Sequence, residues 1–351
     1  MSPLRPGITT GTCAAAAAKA ATMVLLNSGN MGQIEVGLPD GGRISLPLIY
    51  AQIKGICGEA AVHKDAGDDP DVTDGATIVA AVMLTDEEGI CFAAGEGVGT
   101  VTKPGLPVPV GEPAINPVPR RMIEEAVREV TGMGVRVTIS IPGGRELAER
   151  TFNPRLGIEG GLSILGTSGL VRPFSHSALQ TALKCVLDVA AACNIQAPVF
   201  VPGHIGERAA RKYFSLAENQ VIEVSNEWGF MLDYAAAYHF SALLALGHPG
   251  KLAKLASGDW DTHSSRSGNA LPYLYRLAEG AFGRSSPETT TVEGFFSSLS
   301  AEERPMLGDR LAREIGKAII RRTGGDQDIS VVLVNIRGEW LGSSGGTERW
   351  K

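Results

Sequence analysis

Two turns in the second half of the chain share one form. In Pro202-Gly-His-Ile-Gly-Glu and Leu246-Gly-His-Pro-Gly-Lys, Gly-His-x-Gly and a charged residue follow an apolar run and precede a helix-forming stretch. A strand-end glycine lets a ligand approach the backbone, and the first N–H groups of a helix are free to meet it. Two such turns would lie together at the carboxyl edge of a parallel sheet, where open α/β folds bind ligands. Generic turn chemistry recurring by chance is the plainer alternative.

The first half carries three further candidates. Asp65, Asp68, Asp69, Asp71 and Asp74 fall within ten residues. They lack the alternating carboxylates and the closing glutamate of a calcium loop. A solvated acidic turn is the plain reading, but such crowding favours a role against a cation or a basic segment. The proline-dense run Pro104–Pro119 forms a stiff segment and ends on a helix start with Arg120 and Arg121. A helix N-terminus with arginine forks suits a carboxylate, although a capped surface helix with solvated arginines explains the same residues. Gly95-Glu-Gly-Val-Gly-Thr only superficially resembles a dinucleotide fingerprint, because its third glycine is misplaced and no helix follows. It is a tight loop whose N–H groups, helped by Lys103, could face an anion. There is no GxSxG elbow, HExxH pair or GxxxxGK[ST] loop, and the six histidines are too scattered to make a metal site.

These residues need elements to hold them. Thr9, Thr10 and Thr12 are cap candidates for a helix running through the alanines Ala14–Ala18, whose thin face permits close packing. Short strand-like runs follow: QIEVGLP, RISLPLIYAQI, GEAAVHK, GATIVAAVML and GICFAAG, suggesting a mostly antiparallel sheet. A helix is expected from Pro119 to Val130, entered through Asn116 or Pro117. VRVTISI then reads as a strand and LAERTFNP as an extended piece. The glycine-rich stretch Gly157–Ser175 is expected to join two domains, 1–155 and 156–351. Beyond it, strands alternate with helices: helix His176–Ala192, strand APVFVP, helix Gly206–Leu216, QVIEVS, helix Phe230–Phe240, ALLALGH and helix Lys251–Ala256. That alternation implies a parallel sheet. A polar helix over Ser300–Arg322 leads to a hairpin turning near Arg337–Gly338, and SSGGTERWK is expected to be a loose tail.

The 351 residues carry a net charge of −6, which with no basic patch argues against nucleic acid as partner. Five scattered cysteines fit a reducing cytoplasm rather than a disulfide framework. The apolar run Cys13–Leu26 is short for a membrane span and contains Lys19, and its charge lies in the wrong place for a signal peptide.

Four stretches, LRPGITTGTCAAAAAKAA, KDAGDDPDVTDGA, GEGVGTVTKPGLPVPVGEPAINPVPRRMI and NPRLGIEGGLSILGTSGLVRPFS, resemble the signatures of the cobalt-precorrin-5B C1-methyltransferase (CbiD) family. The resemblance covers almost all of residues 4–175 and continues more weakly through GHIGERAARKYF, GHPGKLAKLASG and Thr262-His-Ser. It implies methyl transfer from S-adenosylmethionine to C1 of cobalt-precorrin-5B, giving cobalt-precorrin-6A in oxygen-independent cobalamin synthesis. It also implies an α+β first domain, with a mostly antiparallel sheet and helices, and a Rossmann-like α/β second domain with a parallel sheet.

A tetrapyrrole rich in acetates and propionates needs local positive charge. Under the resemblance, Arg5, Lys103, Arg120, Arg121, Arg155 and Arg172 are candidates to bind it, with Thr9, Thr10 and Asn116 beside them. Gly203, His204, Gly206, Asn226, Glu227, Gly247 and His248 are candidates for the cofactor. Glu227 is preferred for the ribose because Glu223 lies inside its strand. Asp65, Asp68 or His204 would serve if a proton acceptor is used. No protein metal ligand is required, since the cobalt arrives with the substrate. The partner is a small tetrapyrrole, with no membrane involved and homo-oligomerisation left open. An NAD-dependent dehydrogenase, a small-molecule kinase and a non-catalytic tetrapyrrole carrier are the rival readings.

Overall fold

The computed structural model describes residues 4–27, 31–325 and 327–351, and the chain divides into two compact units, Met1–Ala178 and Leu179–Lys351. The first unit runs β1 (Gly7–Ile8), α1 (Thr10–Leu25), β2 (Gln33–Gly37), β3 (Arg43–Pro47), β4 (Tyr50–Lys54), β5 (Cys57–His63) and β6 (Thr77–Thr85). It continues through β7 (Ile90–Ala94), β8 (Thr100–Val101), α2 (Pro117–Arg128), β9 (Gly134–Ser140), α3 (Gly144–Ala148), β10 (Ile158–Glu159) and β11 (Leu170–Val171). Its main sheet has the order β4-β5-β6-β9-β7 and is antiparallel except where β7 pairs with β9.

Thr9 caps α1, its hydroxyl accepting the Thr12 N–H at 3.2 Å, which leaves a helix whose alanines from Ala14 to Ala21 are all fully buried. They form the core with Ile78, Ala80 and Val82 of β6 and Val135, Val137 and Ile139 of β9. Burial pushes the Cys13 thiol up to about 12, so this cysteine is an inert core residue.

Three expectations for this half need correcting. The expected single strand RISLPLIYAQI is broken between Pro47 and Tyr50 into β3 and β4, which join different sheets. LAERTFNP is helical at both ends, in α3 and a tight 3-10 turn over Pro154–Leu156, rather than extended. Finally, the glycine-rich stretch belongs inside the first unit and joins nothing. β10 pairs with β8, β11 pairs with β1, and Leu162 and Ile164 are core residues, so the division falls at Ala178 rather than 155/156.

Helix α4 (His176–Ala192) begins three residues before the division and carries the chain into the second unit, which continues β12 (Val199–Val201), α5 (His204–Tyr213), β13 (Val221–Glu223), α6 (Trp228–Ala236), β14 (Ala242–Gly247) and α7 (Pro249–Ala256). Helices α8 (Leu271–Phe282) and α9 (Val292–Ser298) lie where the sequence pattern gives no element; α10 (Glu303–Thr323), β15 (Asp328–Val334) and β16 (Trp340–Ser344) complete it. The sheet order is β13-β12-β14-β15-β16. Its first four strands are parallel and β16 is an antiparallel edge paired to β15 as a hairpin. All residues of β12 and β14 are buried, as strands covered on both faces should be. The chain passes outward from β12 to β13 and then returns across β12 to β14, so winding reverses between β12 and β14.

The last residues are not a loose tail. Trp350 is 1% exposed, its indole Nε1 donates to the Ala197 carbonyl at 2.8 Å, and its own carbonyl accepts from Ser215 at 2.9 Å. Trp350→Ala is expected to cost about 3–5 kcal/mol, the usual range for emptying a buried tryptophan site. Urea unfolding of the intact chain checks this, and a loss under about 1 kcal/mol would mean that the terminus does not dock.

Candidate functional site

In the first unit the segment 158–171 gathers the others. Gly99 donates to Leu162 at 2.9 Å and Leu162 to Gly97 at 2.8 Å; Asn116 donates to Ile164 at 2.9 Å and Ile164 to Ala114 at 2.8 Å. The segment then meets the start of α1. Gly11 donates to the Leu165 carbonyl at 3.0 Å, Leu165 donates to the Thr10 hydroxyl at 2.9 Å, and the Thr12 hydroxyl donates to Gly169 at 2.6 Å. Thr9 and Thr10 are buried, and their side chains are occupied by this seam. Asn116 enters α2 without a side-chain cap bond.

The aspartate cluster is tied down in the same region. Asp65 forms a bidentate pair with Arg5 at 2.5 and 2.8 Å, and Asp68 accepts the Arg5 backbone N–H at 2.7 Å. Lys64, 2% exposed, donates to Asp71 at 2.7 Å; Asp74 accepts from Ala66 and Asp69 from Phe174. The basic segment that the cluster faces is thus supplied by the chain itself. The Arg5 guanidinium and the Gly67 N–H hold the Asp65 carboxyl down to about 2.

The basic candidates differ in what they have left to offer. Arg120 donates to the carbonyls of Ile115 at 2.8 Å and Pro113 at 3.1 Å, lies over the Phe92 ring, and so braces the proline loop. Lys103 and Arg155 are engaged within the protein, and the Lys103 stem lies against Gly157. Arg121, at the start of the second turn of α2, and Arg172, just after β11, are exposed. These two positions keep their guanidinium groups in solvent.

In the second unit the winding reversal places the two Gly-His-x-Gly turns at adjacent strand ends. Gly203, at the end of β12, has φ +152°, a conformation that side chains rarely adopt, and a Cβ there would meet nothing nearer than Glu223 Oε1 at 3.6 Å. That leaves an open cradle beside a carboxylate. Gly206 and Gly247 act differently, because a Cβ on them would strike the Leu246 carbonyl at 2.8 Å and the Pro202 ring at 2.7 Å. They permit close packing around the edge. His204 is 86% exposed at the start of α5, its Nδ1 3.9 Å from Glu207. His248 instead caps α7, its Nδ1 accepting the Gly250 N–H at 3.0 Å while Nε2 meets Glu293 at 3.1 Å.

Glu227 is 4% exposed and accepts from Gln180 at 2.9 Å, whereas Asn226 is joined to Thr262 through both side chain and backbone. Glu223 ends β13 opposite Val201 and stands at the cradle. Its signal was present in the sequence: it follows Gly203 by twenty residues, the spacing at which nucleotide-binding βαβ units place their ribose-binding acid. Lys251, in the first turn of α7, also reaches this edge, its Nζ lying 3.4 Å from the Pro202 carbonyl. Among the described residues no three His, Cys, Asp or Glu side chains converge as a metal site, and no helix is long and apolar enough to cross a membrane.

The profile of the CbiD family matches residues 1–173. Over its whole length the chain is 54% identical to all of the cobalt-precorrin-5B C(1)-methyltransferase of Syntrophotalea carbinolica. The chain belongs to the CbiD family. The relative of the same description in Alkaliphilus metalliredigens is 40% identical over 95% of this chain and 90% of that one. A crystal structure of the cobalamin biosynthesis protein (cbiD) from Archaeoglobus fulgidus aligns at 32% identity over 75% of this chain and 83% of that one, with a TM-score of 0.41. The CbiD profile ends within two residues of Arg172, so the whole glycine-rich seam falls inside it.

The depressed Asp65 pKa carries a pH signature. A lowered folded-state pKa contributes stability that is present above the unfolded value of about 3.9 and is lost as pH falls toward about 2. The pair is exposed, so the gain is small. In Arg5→Met the Asp65 carboxyl is expected to titrate near the ordinary aspartate range, against about 2 in the parent. Carboxyl carbon shifts of selectively labelled aspartate across pH 2–6 check this; an unchanged midpoint would mean that Arg5 does not hold Asp65.

Proposed function

We propose that the chain transfers a methyl group to C1 of cobalt-precorrin-5B, giving cobalt-precorrin-6A in oxygen-independent cobalamin biosynthesis, and that S-adenosylmethionine is the donor. The observation that carries the reading is full-length identity of 54% to a relative named for that reaction. S-adenosylmethionine supplies an electrophilic sulfonium methyl when bound. The residues at the second unit's carboxyl edge suit it. The open cradle at Gly203 admits a ligand against the backbone, and Glu223 beside it offers acceptors for ribose hydroxyls. Glu223 takes this role in preference to Glu227, whose carboxylate is buried against Gln180.

An electron-rich ring carbon attacking a sulfonium methyl needs alignment more than acid or base help, so the protein's part is orientation and exclusion of water. Arg121 and Arg172, with guanidinium groups in solvent, are the residues assigned to the macrocycle's carboxylates. Arg120, Arg5, Thr9 and Thr10 support the loops that present them. Of the three proton-acceptor candidates, Asp65 is a poor base because it is held near 2, and Asp68 is committed to the Arg5 backbone. His204, exposed at the cradle, is the one assigned to accept a proton at its imidazole. The cobalt belongs to the substrate. The protein's setting is the cytoplasm, and its partner is the tetrapyrrole.

Calorimetric titration tests the reading. S-adenosylhomocysteine is expected to bind saturably and NAD not at all; NAD binding alone would favour the dehydrogenase. Tetrapyrrole binding without either nucleoside would favour the carrier. Glu223→Gln is expected to weaken S-adenosylhomocysteine about tenfold or more, the worth of charge-assisted hydrogen bonds, with Glu227→Gln little changed. The reverse ranking would restore Glu227. Arg121→Ala and Arg172→Ala are each expected to raise the KM for the macrocycle severalfold with kcat nearly unchanged, and steady-state kinetics at saturating donor would show it.

A further inference from the structure

The edge that holds Gly203 and Glu223 also holds a partly buried lysine. Lys251 extends from the first turn of α7 across the winding reversal to the end of β12, where its Nζ is 3.4 Å from the Pro202 carbonyl. That contact is long for a hydrogen bond, and an ammonium has three donors to place. The charged groups acting on it are Glu223, which is attractive, and Lys254, which is repulsive. Lys254 is buried one helical turn further on, and its Nζ donates to the Thr262 carbonyl at 3.1 Å and the Ser267 hydroxyl at 2.8 Å, both neutral. Burial, with a smaller contribution from the Lys254 ammonium, pulls the Lys251 pKa down against the opposing influence of Glu223.

We propose that Lys251 binds the carboxylate at the amino-acid end of the methyl donor and so positions the donor along the β12–β14 edge. This rests on the reading that S-adenosylmethionine occupies that edge. The donor carries a single carboxylate, at the opposite end from its adenine, with the ribose between. Glu223 and Lys251 lie on the two sides of Gly203, on β13 and after β14, so one ligand lying along the strand ends passes both. Glu223 selects the sugar and Lys251 fixes the far end, which sets where the sulfonium lies between them. Lys251 is a positioning residue, not one that touches the transferred methyl.

A comparison of two ligands isolates this role. S-adenosylhomocysteine and 5′-methylthioadenosine share the adenosine and the sulfur, but only the first has the amino-acid carboxylate. Calorimetry on the full chain is expected to show Lys251→Met weakening S-adenosylhomocysteine by about tenfold to a hundredfold, the worth of a charge-assisted contact, with 5′-methylthioadenosine affinity unchanged. Lys251→Arg is expected to recover most of the loss, and retained 5′-methylthioadenosine binding shows that the variant is folded. Equal losses for both ligands, or no loss for either, would overturn the assignment. A parent chain that binds neither compound, alone or with a cobalt tetrapyrrole present, would overturn the donor reading itself and Lys251's role with it.

Discussion

Buried backbone N–H and C=O groups must be paired, and a glycine-rich chain with little regular structure can pair them only against its neighbours. Residues 158–171 meet that demand one neighbour at a time: β8, the strand-like stretch 114–116, the first turn of α1, and β1. Ile8 then donates to the Asp65 carbonyl and Asp68 to that of Arg5, which brings in the aspartate loop. The first unit's distinctive sequences are thus pieces of one joint. Most of their polar side chains are consumed in making it, which is why Thr9, Thr10, Asp65 and Arg120 are better understood as framework. What the joint leaves in solvent is Arg121 and Arg172.

In the second unit the governing feature is the reversal of winding between β12 and β14. It makes two strand–turn–helix junctions neighbours at one edge, and those junctions have divided their work. The β14 junction is closed, with His248 spent on capping α7 and on Glu293. The β12 junction is open, with an exposed His204 and a glycine whose backbone conformation leaves space beside Glu223. Similar motifs at similar positions therefore do different things, and only the neighbouring side chains distinguish them.

Local patterns were readable where local physics decides. Thr9 as the cap of α1, the helix His176–Ala192, the alternating strands and helices behind it and the final hairpin all follow from periodicity and turn chemistry. The features that eluded the sequence depend on distant partners. Glycine in 157–169 has the composition of a linker, and nothing local reveals that its amides pair with residues 7–12 and 97–116. Trp350 sits in a run of small polar residues, and its burial depends on Ala197 and Ser215, more than a hundred positions away. Glu223 has the ribose-acid spacing in the sequence, but a strand position alone does not show that the strand ends there, beside the Gly203 turn.

Isotope labelling reads the regiochemistry of the methyl transfer at the bond that is formed. The purified chain would be incubated with cobalt-precorrin-5B enriched in carbon-13 at C1 and S-adenosylmethionine enriched in its methyl. Transfer to C1 gives a product whose new methyl signal is coupled to C1, together with equimolar S-adenosylhomocysteine. A methyl signal without coupling to C1, or no transfer to the macrocycle under conditions where both ligands bind, would contradict it.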